Sequence, residues 1–186
     1  MGKIVVSEFV SIDGVMEAPG GEPGYAHSGW VWRFPSEEQL AYKFDEVMSH
    51  QALLIGRRTY ESFAEAWPSR EGPFADQMNS MPKYVASTTM TSAGWSNSTV
   101  IDGDVAPAVA ALKAELDGDL LVAGSGTLVT TLRRHDLVDE YRLMVFPIVL
   151  GSGMRLFDDL PDAAALELVG TRTFDSGTTV LTYRRP

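Results

Sequence analysis

Three short segments of the chain combine residue types that suit an anionic ligand: Gly56-Arg57-Arg58-Thr59, Ser87-Thr88-Thr89 and Gly124-Ser125-Gly126-Thr127. Each stands at the end of a short apolar run of strand character: Ala52 to Ile55, Tyr84 to Ser87, and Leu120 to Ala123. The first and third segments also open amphipathic helices. A helix N-terminus presents unpaired N–H groups and a partial positive charge to an anion. Glycine at that point lets the backbone approach a ligand closely, because no Cβ intervenes. Two such starts on adjacent strands would grip a pyrophosphate. Arg57 or Arg58, with Ser87 or Thr88, would hold one further phosphate group. Each charge-assisted hydrogen bond contributes about 1.5–3 kcal/mol, enough to favour NADPH over NADH by about a hundredfold. Taken singly, each segment has a plainer reading. A glycine after a strand is a turn, an arginine pair is a solvated helix start, and Gly124-Ser125-Gly126 lacks the full G-x-G-x-x-G spacing. The coincidence of all three points to a nucleotide.

The elements that must position these segments follow from periodicity and punctuation. Lys3 to Val10 reads as a buried strand ending in the turn Ser11-Ile12-Asp13-Gly14. Residues 17 to 29 are rich in glycine and proline and form a loop. A loop of that length inside a compact domain is usually functional. Ser36 and Gln39 fit a capping box for a helix with Leu40, Phe44, Val47 and Met48 on one face, running to about Ser49. The helix after Gly56 carries Tyr60, Phe63, Ala64 and Trp67 on one face and stops at Pro68, and a polar stretch follows to Pro82. Thr99 to Ile101 is a strand. Asp104 caps a helix striped by Val105, Val109, Leu112 and Leu116, and the last helix runs to about Arg134. Val138 to Val149, Leu166 to Phe174 and Thr178 to Arg184 are strand-like, the last two flanking Asp175-Ser176-Gly177. Strands alternating with helices predict an α/β fold: one domain over 1–186, built on a mostly parallel sheet with helices on both faces and an antiparallel closing edge.

Composition narrows the function classes. The chain has 186 residues, 45% hydrophobic and 22% charged, which is ordinary globular usage. Its net charge of −10 makes it a poor general binder of nucleic acid. With no cysteine there is no disulfide, thiolate nucleophile or thiolate metal site, and His27, His50 and His135 are not spaced as a metal pair on one helix, so no metal is expected. No apolar run reaches the length of a membrane span, and Glu8 falls where a signal peptide needs an apolar centre. The sequence therefore reads as cytoplasmic, without membrane association.

Ile55-Gly56-Arg57-Arg58-Thr59-Tyr60-Glu61-Ser62-Phe63 resembles the helix-opening motif of dihydrofolate reductases, and Leu121-Val122-Ala123-Gly124-Ser125-Gly126-Thr127 resembles their glycine-rich pyrophosphate turn. A narrower relative is more similar still. Leu137-Val138-Asp139-Glu140-Tyr141, then Phe146-Pro147-Ile148-Val149-Leu150-Gly151-Ser152-Gly153 and Leu156-Phe157, together with Ser11-Ile12-Asp13-Gly14, resemble the C-terminal reductase domain of the bifunctional riboflavin-biosynthesis deaminase-reductase. The resemblance covers nearly the whole chain. It implies a three-layer dihydrofolate-reductase-like fold that binds NADPH. Gly56, Arg57, Arg58 and Thr59 would meet the 2′-phosphate and the pyrophosphate, and Ser87 and Thr88 would complete the 2′-phosphate site. Gly124, Ser125, Gly126, Thr127 and Leu128 would hold the pyrophosphate and nearby ribose, with the loop from Asp13 to Met16 over the nicotinamide. Relatives of this type pair as homodimers, so a homodimer is expected by analogy.

On the substrate side the expected residues are Asp13, Gly14, Met16, Trp32 and Tyr60. Asp13 either orients the substrate or supplies a proton; otherwise it is a turn residue bonding its own backbone. Trp32, Trp30 and Phe44 could wall a flat heterocycle or pack the core, Tyr60 could pack its helix or show its hydroxyl to the pocket, and Glu17 reads as solvated loop. Dihydrofolate reductases carry an acidic residue on the helix before the arginine motif. Counting back from Gly56 puts Leu40 there, or Gln39 or Glu38 with a shift of one or two. The implied activity is NADPH-dependent reduction of a pyrimidine- or pteridine-like heterocycle, a ribosyl-aminopyrimidine being the family's best-known case. Dihydrofolate reduction and a non-catalytic NADPH-binding sensor are the alternatives.

Overall fold

Apolar runs such as Ile4-Val5-Val6 and Ala52-Leu53-Leu54-Ile55 are buried at every position. Burial on both faces is what a strand between two helix layers requires. The computed structural model describes residues 2–157 and 163–186. In chain order the elements are β1 (Ile4–Ser11), α1 (Glu37–Met48), β2 (Ala52–Gly56), α2 (Arg57–Ala66), α3 (Pro73–Ser80), β3 (Lys83–Ala86), β4 (Ser98–Ile101), α4 (Val105–Glu115), β5 (Leu120–Ala123), α5 (Gly126–Arg134), β6 (Glu140–Phe146), β7 (Glu167–Thr173) and β8 (Thr179–Arg184), with a short 3-10 turn at Trp30–Arg33.

The strands form one eight-stranded sheet in the order β4-β3-β2-β5-β1-β6-β8-β7. From β4 through β6 every neighbouring pair is parallel. Of the three closing strands, β6 continues the parallel part beside β1, and β8 is antiparallel to both β6 and β7. Val47 of α1, Tyr60 of α2 and Met78 of α3 cover Val5, Leu53, Ile55, Val85 and Leu121 on one face. Val109 of α4 and Leu128, Val129 and Leu132 of α5 cover Ile4, Val6, Leu54, Leu120 and Val122 on the other. A third cluster joins Trp30 to Phe146, Met144 and Val180 at the β6–β8 end.

The stretch before Pro82 differs from its polar-loop expectation. Gly72 at φ 98 turns the chain into α3, with Pro73 in the first turn, where its missing N–H costs nothing. Met78 and Ala75 then face the core. Lys83, at the start of β3, is almost wholly buried. Its ammonium donates to the carbonyls of Asn79, Met81 and Ser96 and lies 4.2 Å from the Trp95 ring centroid. Burial draws its pKa down to about 8, so it remains charged at neutral pH. Lys83→Ala leaves three carbonyls unpaired and is expected to lower stability by about 3 kcal/mol. Urea unfolding reads this directly, and a loss below about 0.5 kcal/mol would show that the lysine is not the brace.

Candidate functional site

The helices leaving the two adjacent parallel strands β2 and β5 lie on opposite faces of the sheet. That is a topological switch point, where open α/β sheets place their ligands. Register brings the expected segments level there. Gly56 pairs with Ala86 of β3, so Arg57 and Ser87 follow side by side. On the other flank, Ala52 and Leu53 pair with Leu120 and Leu121 of β5, which then leads into Gly124.

The two turns are stitched together. Ser125 Oγ accepts the Gly56 N–H at 2.7 Å and donates to Thr59 Oγ1 at 3.0 Å. Ser125 is left-handed, at φ 69 and ψ 45, an uncommon conformation for a residue with a Cβ. Gly124 before it has φ 62, and a Cβ there would lie 2.9 Å from Thr59 Oγ1. The Gly124 N–H donates to Glu8 Oε2 at 3.0 Å. The amides of Gly56 and Gly124, expected to face a ligand, are therefore taken by the protein's own side chains. These glycines serve close approach and turn geometry instead. The donors left to a ligand belong to the first turns of α2 and α5. Ser36 and Asp104 cap α1 and α4 with their side chains, whereas the N-caps of α2 and α5 make no such bond.

The two arginines differ. Arg57 pairs with Glu61 one helical turn on, at 3.0 Å. Arg58 is exposed and has no carboxylate partner among the described residues. Ser87 Oγ accepts from the amides of Thr89 and Met90, which shapes the turn after β3 and leaves its O–H free to donate. Thr88 is exposed beside it.

Asp13 sits at the carboxyl end of β1 but does not act as a free acid. Its carboxylate accepts from Ser11 Oγ at 2.7 Å, Leu150 N at 3.1 Å and Gly151 N at 2.8 Å. The Ser11 hydroxyl, then the Leu150 and Gly151 amides, hold its pKa down to about 2. Arg155 donates to the Asp13 carbonyl and lies near its carboxylate. Glu17, expected in solvent, accepts from Met154 N at 2.8 Å, and Tyr25 donates to the Ser152 carbonyl at 2.6 Å. The glycine-rich stretch after β6 is thus clasped to the loop after β1, as the Val15–Arg155 bridge and the Met16–Met154 backbone bond confirm. Gly14, at φ 79, turns the chain here. The sulfurs of Met16 and Met154 lie over Gly126, at 3.3 and 2.7 Å from where its Cβ would be. The loop from Asp13 to Met16 therefore meets the start of α5.

Residues 2–180 match the family of RibD C-terminal domains. The chain belongs to that family. It is 29% identical to the uncharacterised protein YyaP of Bacillus subtilis over 187 aligned residues, covering 97% of this chain and 94% of that one. It is 30% identical to YwjB of the same organism, another uncharacterised protein, covering 92% of each. A crystal structure of a Shewanella sp. PV-4 protein named for riboflavin biosynthesis shares the fold, with a TM-score of 0.79 at 23% identity over 99% of both chains. Membership in the RibD C-terminal family carries a reductase-type function related to the riboflavin pathway.

Within this RibD-type framework several expected residues take other roles. Tyr60 is buried against Trp95, whose amide its hydroxyl oxygen accepts at 2.8 Å, and it lines a cleft with Asn79, Gly94 and Ser96. Leu128 packs inward on the sheet, leaving only its backbone for a cofactor. Trp32 is 66% exposed and donates to the Gly20 carbonyl, while Trp30 is the fully buried one, edge-on to Phe146. Phe44 stacks edge-on with Phe74 of α3. Thr127 is exposed at the start of α5. None of the three positions counted back from Gly56 holds a buried carboxylate. Leu40 and Glu38 are exposed, and Gln39 is buried with its amide on the Phe34 carbonyl and Ser176 Oγ.

Two polar groups escaped the sequence reading. On the α1 face, the Lys43 ammonium bonds Ser7 Oγ and Glu46 and lies 5.2 Å from the Phe9 ring centroid. Burial raises the Glu46 pKa, but Lys43, Ser7 and Arg142 outweigh it and keep the carboxylate ionised. By strand alternation Glu8 points to the opposite face, shared with Val6 and Val10. The available signal was the pair Ser7-Glu8 inside an otherwise apolar strand.

Proposed function

We propose that the chain is an NADPH-dependent reductase that delivers hydride to a pyrimidine- or pteridine-like heterocycle, with a ribosyl-aminopyrimidine as the leading substrate class. The observation that carries this reading is the pair of helix starts, α2 and α5, whose first turns lack side-chain caps at the switch point, with Arg58, which has no carboxylate partner among the described residues, following the α2 start. Those donors fit the pyrophosphate and 2′-phosphate of the cofactor. When bound, the nicotinamide supplies the hydride.

The chain's own residues do the rest. The first turns of α2 and α5 bind phosphate, Arg58 selects the 2′-phosphate, and Ser125 locks the two turns at a fixed spacing. Met16 and Met154 pack against Gly126 and tie the loop after β1 to the start of α5. Asp13, ionised at neutral pH, carries no proton for the substrate. It orients the loop that borders the reacting centre, so the proton that joins the hydride comes from another donor.

The test is binding of NADPH and NADH, followed by energy transfer from tryptophan. Wild-type chain is expected to prefer NADPH. Arg58→Ala is expected to weaken NADPH about thirtyfold and leave NADH within about twofold, whereas Arg57→Ala, whose guanidinium is engaged by Glu61, changes NADPH by less than about fivefold. Absence of NADPH binding to the wild type would overturn the proposal. Binding without oxidation of NADPH in the presence of a ribosyl-aminopyrimidine would favour the sensor reading.

A further inference from the structure

Glu8 is one of the buried polar groups whose full hydrogen-bonding capacity the described residues do not meet. It lies on the central strand β1 and is 4% exposed. One carboxyl oxygen accepts the Gly124 amide at 3.0 Å, directly under the turn that opens α5. The other, Oε1, is buried without a hydrogen-bond partner among the described residues. A buried carboxyl with one open valence costs stability unless something else requires it. A leucine or methionine would fill the same strand position beside Val6 and Val10 without that cost.

We propose that Glu8 is a positioning residue of the cofactor site, one that sets the Gly124–Ser125–Gly126 turn from beneath and couples its own protonation to the binding of the dinucleotide phosphates. This inference rests on the NADPH reading above. Two features of the place support it. The Gly124 N–H is the last backbone donor before the left-handed Ser125, so the bond from Glu8 fixes the turn's entry and thereby the aim of the α5 amides. The carboxyl also touches, through the Gly124 amide, the turn that would receive a dianionic ligand, and there an ionised Glu8 repels phosphate more than a protonated one. Burial holds the proton on Glu8 well above the usual carboxyl range, against an opposing attraction from Lys43 and with a smaller push from Glu46. Those two α1 side chains, on the far side of the strand, are the charged groups that act on it. Its own face is apolar, built from Val6, Val10, Met16, Leu128 and Val129. Phosphate binding therefore favours the protonated carboxyl, and the affinity falls as pH rises through the ionisation of Glu8.

Glu8→Gln is the decisive variant, because its carbonyl oxygen can still accept the Gly124 N–H and it cannot ionise. The dissociation constant of NADPH is measured for both proteins over the whole pH range in which both stay folded, and their ratio removes the titration of the ligand's own phosphate. At the acid end the two bind within about threefold of each other. Towards the alkaline end the wild type weakens relative to Glu8→Gln by about tenfold or more. A ratio that stays constant with pH would overturn the role of Glu8 and leave the cofactor reading intact. A wild type that binds no NADPH at any pH would overturn both. A role confined to holding the fold would shift both affinities together and leave the ratio flat.

Discussion

Gly124→Ala is expected to weaken NADPH binding about a hundredfold and to lower stability by about 2–3 kcal/mol. Two independent causes converge on this one methyl group. Gly124 has φ 62, a left-handed conformation that costs a residue with a Cβ about 1–2 kcal/mol. The added carbon would also lie 2.9 Å from Thr59 Oγ1 and 3.1 Å from its Cγ2. Thr59 cannot yield without releasing Ser125, and Ser125 is what ties the Gly56 amide to the turn. The β2 and β5 ends then lose their fixed spacing, and the first turns of α2 and α5 no longer converge on one pyrophosphate. Gly126→Ala is the control. Its Cβ would meet the sulfur of Met154, the far end of a flexible side chain, so the expected loss in affinity is below about tenfold. Urea unfolding and fluorescence titration measure the two effects separately. Gly124→Ala with wild-type affinity would show that the spacing of the two turns does not set binding.

The contrast between these glycines explains what the sequence could and could not reveal. Glycine after a strand announces a turn, and the three strand ends were legible because each is punctuated by residues with few other uses. The parallel sheet was legible for the same reason, since strand and helix periods alternate over most of the chain from Ile4 to Arg134, apart from the α2–α3 and β3–β4 neighbours. Which backbone donors stay free was not legible. That depends on Glu8 and Ser125 reaching the Gly124 and Gly56 amides across sequence separations of 116 and 69 residues. Local patterns carry no trace of such contacts. Tyr60 is similar: helical spacing puts it on the inner face, but only the approach of Trp95 shows that its hydroxyl oxygen accepts a backbone amide. The helix α3 was hidden by Gly72 and Pro73, which read as loop residues until the proline is recognised in a first helical turn. The two arginines were indistinguishable by type, and the Glu61 ion pair separates them.

Asp13→Ala is expected to leave NADPH affinity within about threefold of wild type and to reduce kcat/KM for the heterocyclic substrate about a hundredfold. The reason lies in what Asp13 holds. Its two oxygens collect a hydroxyl and two backbone amides, and those amides belong to Leu150 and Gly151 in the loop that follows β6. Without the carboxylate that loop loses the bonds that seat it against the end of β1, while the turns after β2 and β5 keep theirs. Asp13→Asn retains an acceptor for Leu150 but turns an amide N–H₂ toward the Gly151 N–H, so an intermediate loss is expected. The pH profile separates this role from acid catalysis. With its pKa held at about 2, Asp13 is ionised at every pH where the enzyme is assayed. A group whose pKa is depressed on folding adds stability above its ordinary value near 3.8, and this is lost as pH falls toward about 2. Wild type and Asp13→Asn should therefore show the same pH dependence of kcat/KM from about pH 5 upward, differing only in height. Loss of one limb of the profile in Asp13→Asn would mean that the carboxyl does hand over a proton, and that its clasp on the loop after β6 is not its whole purpose.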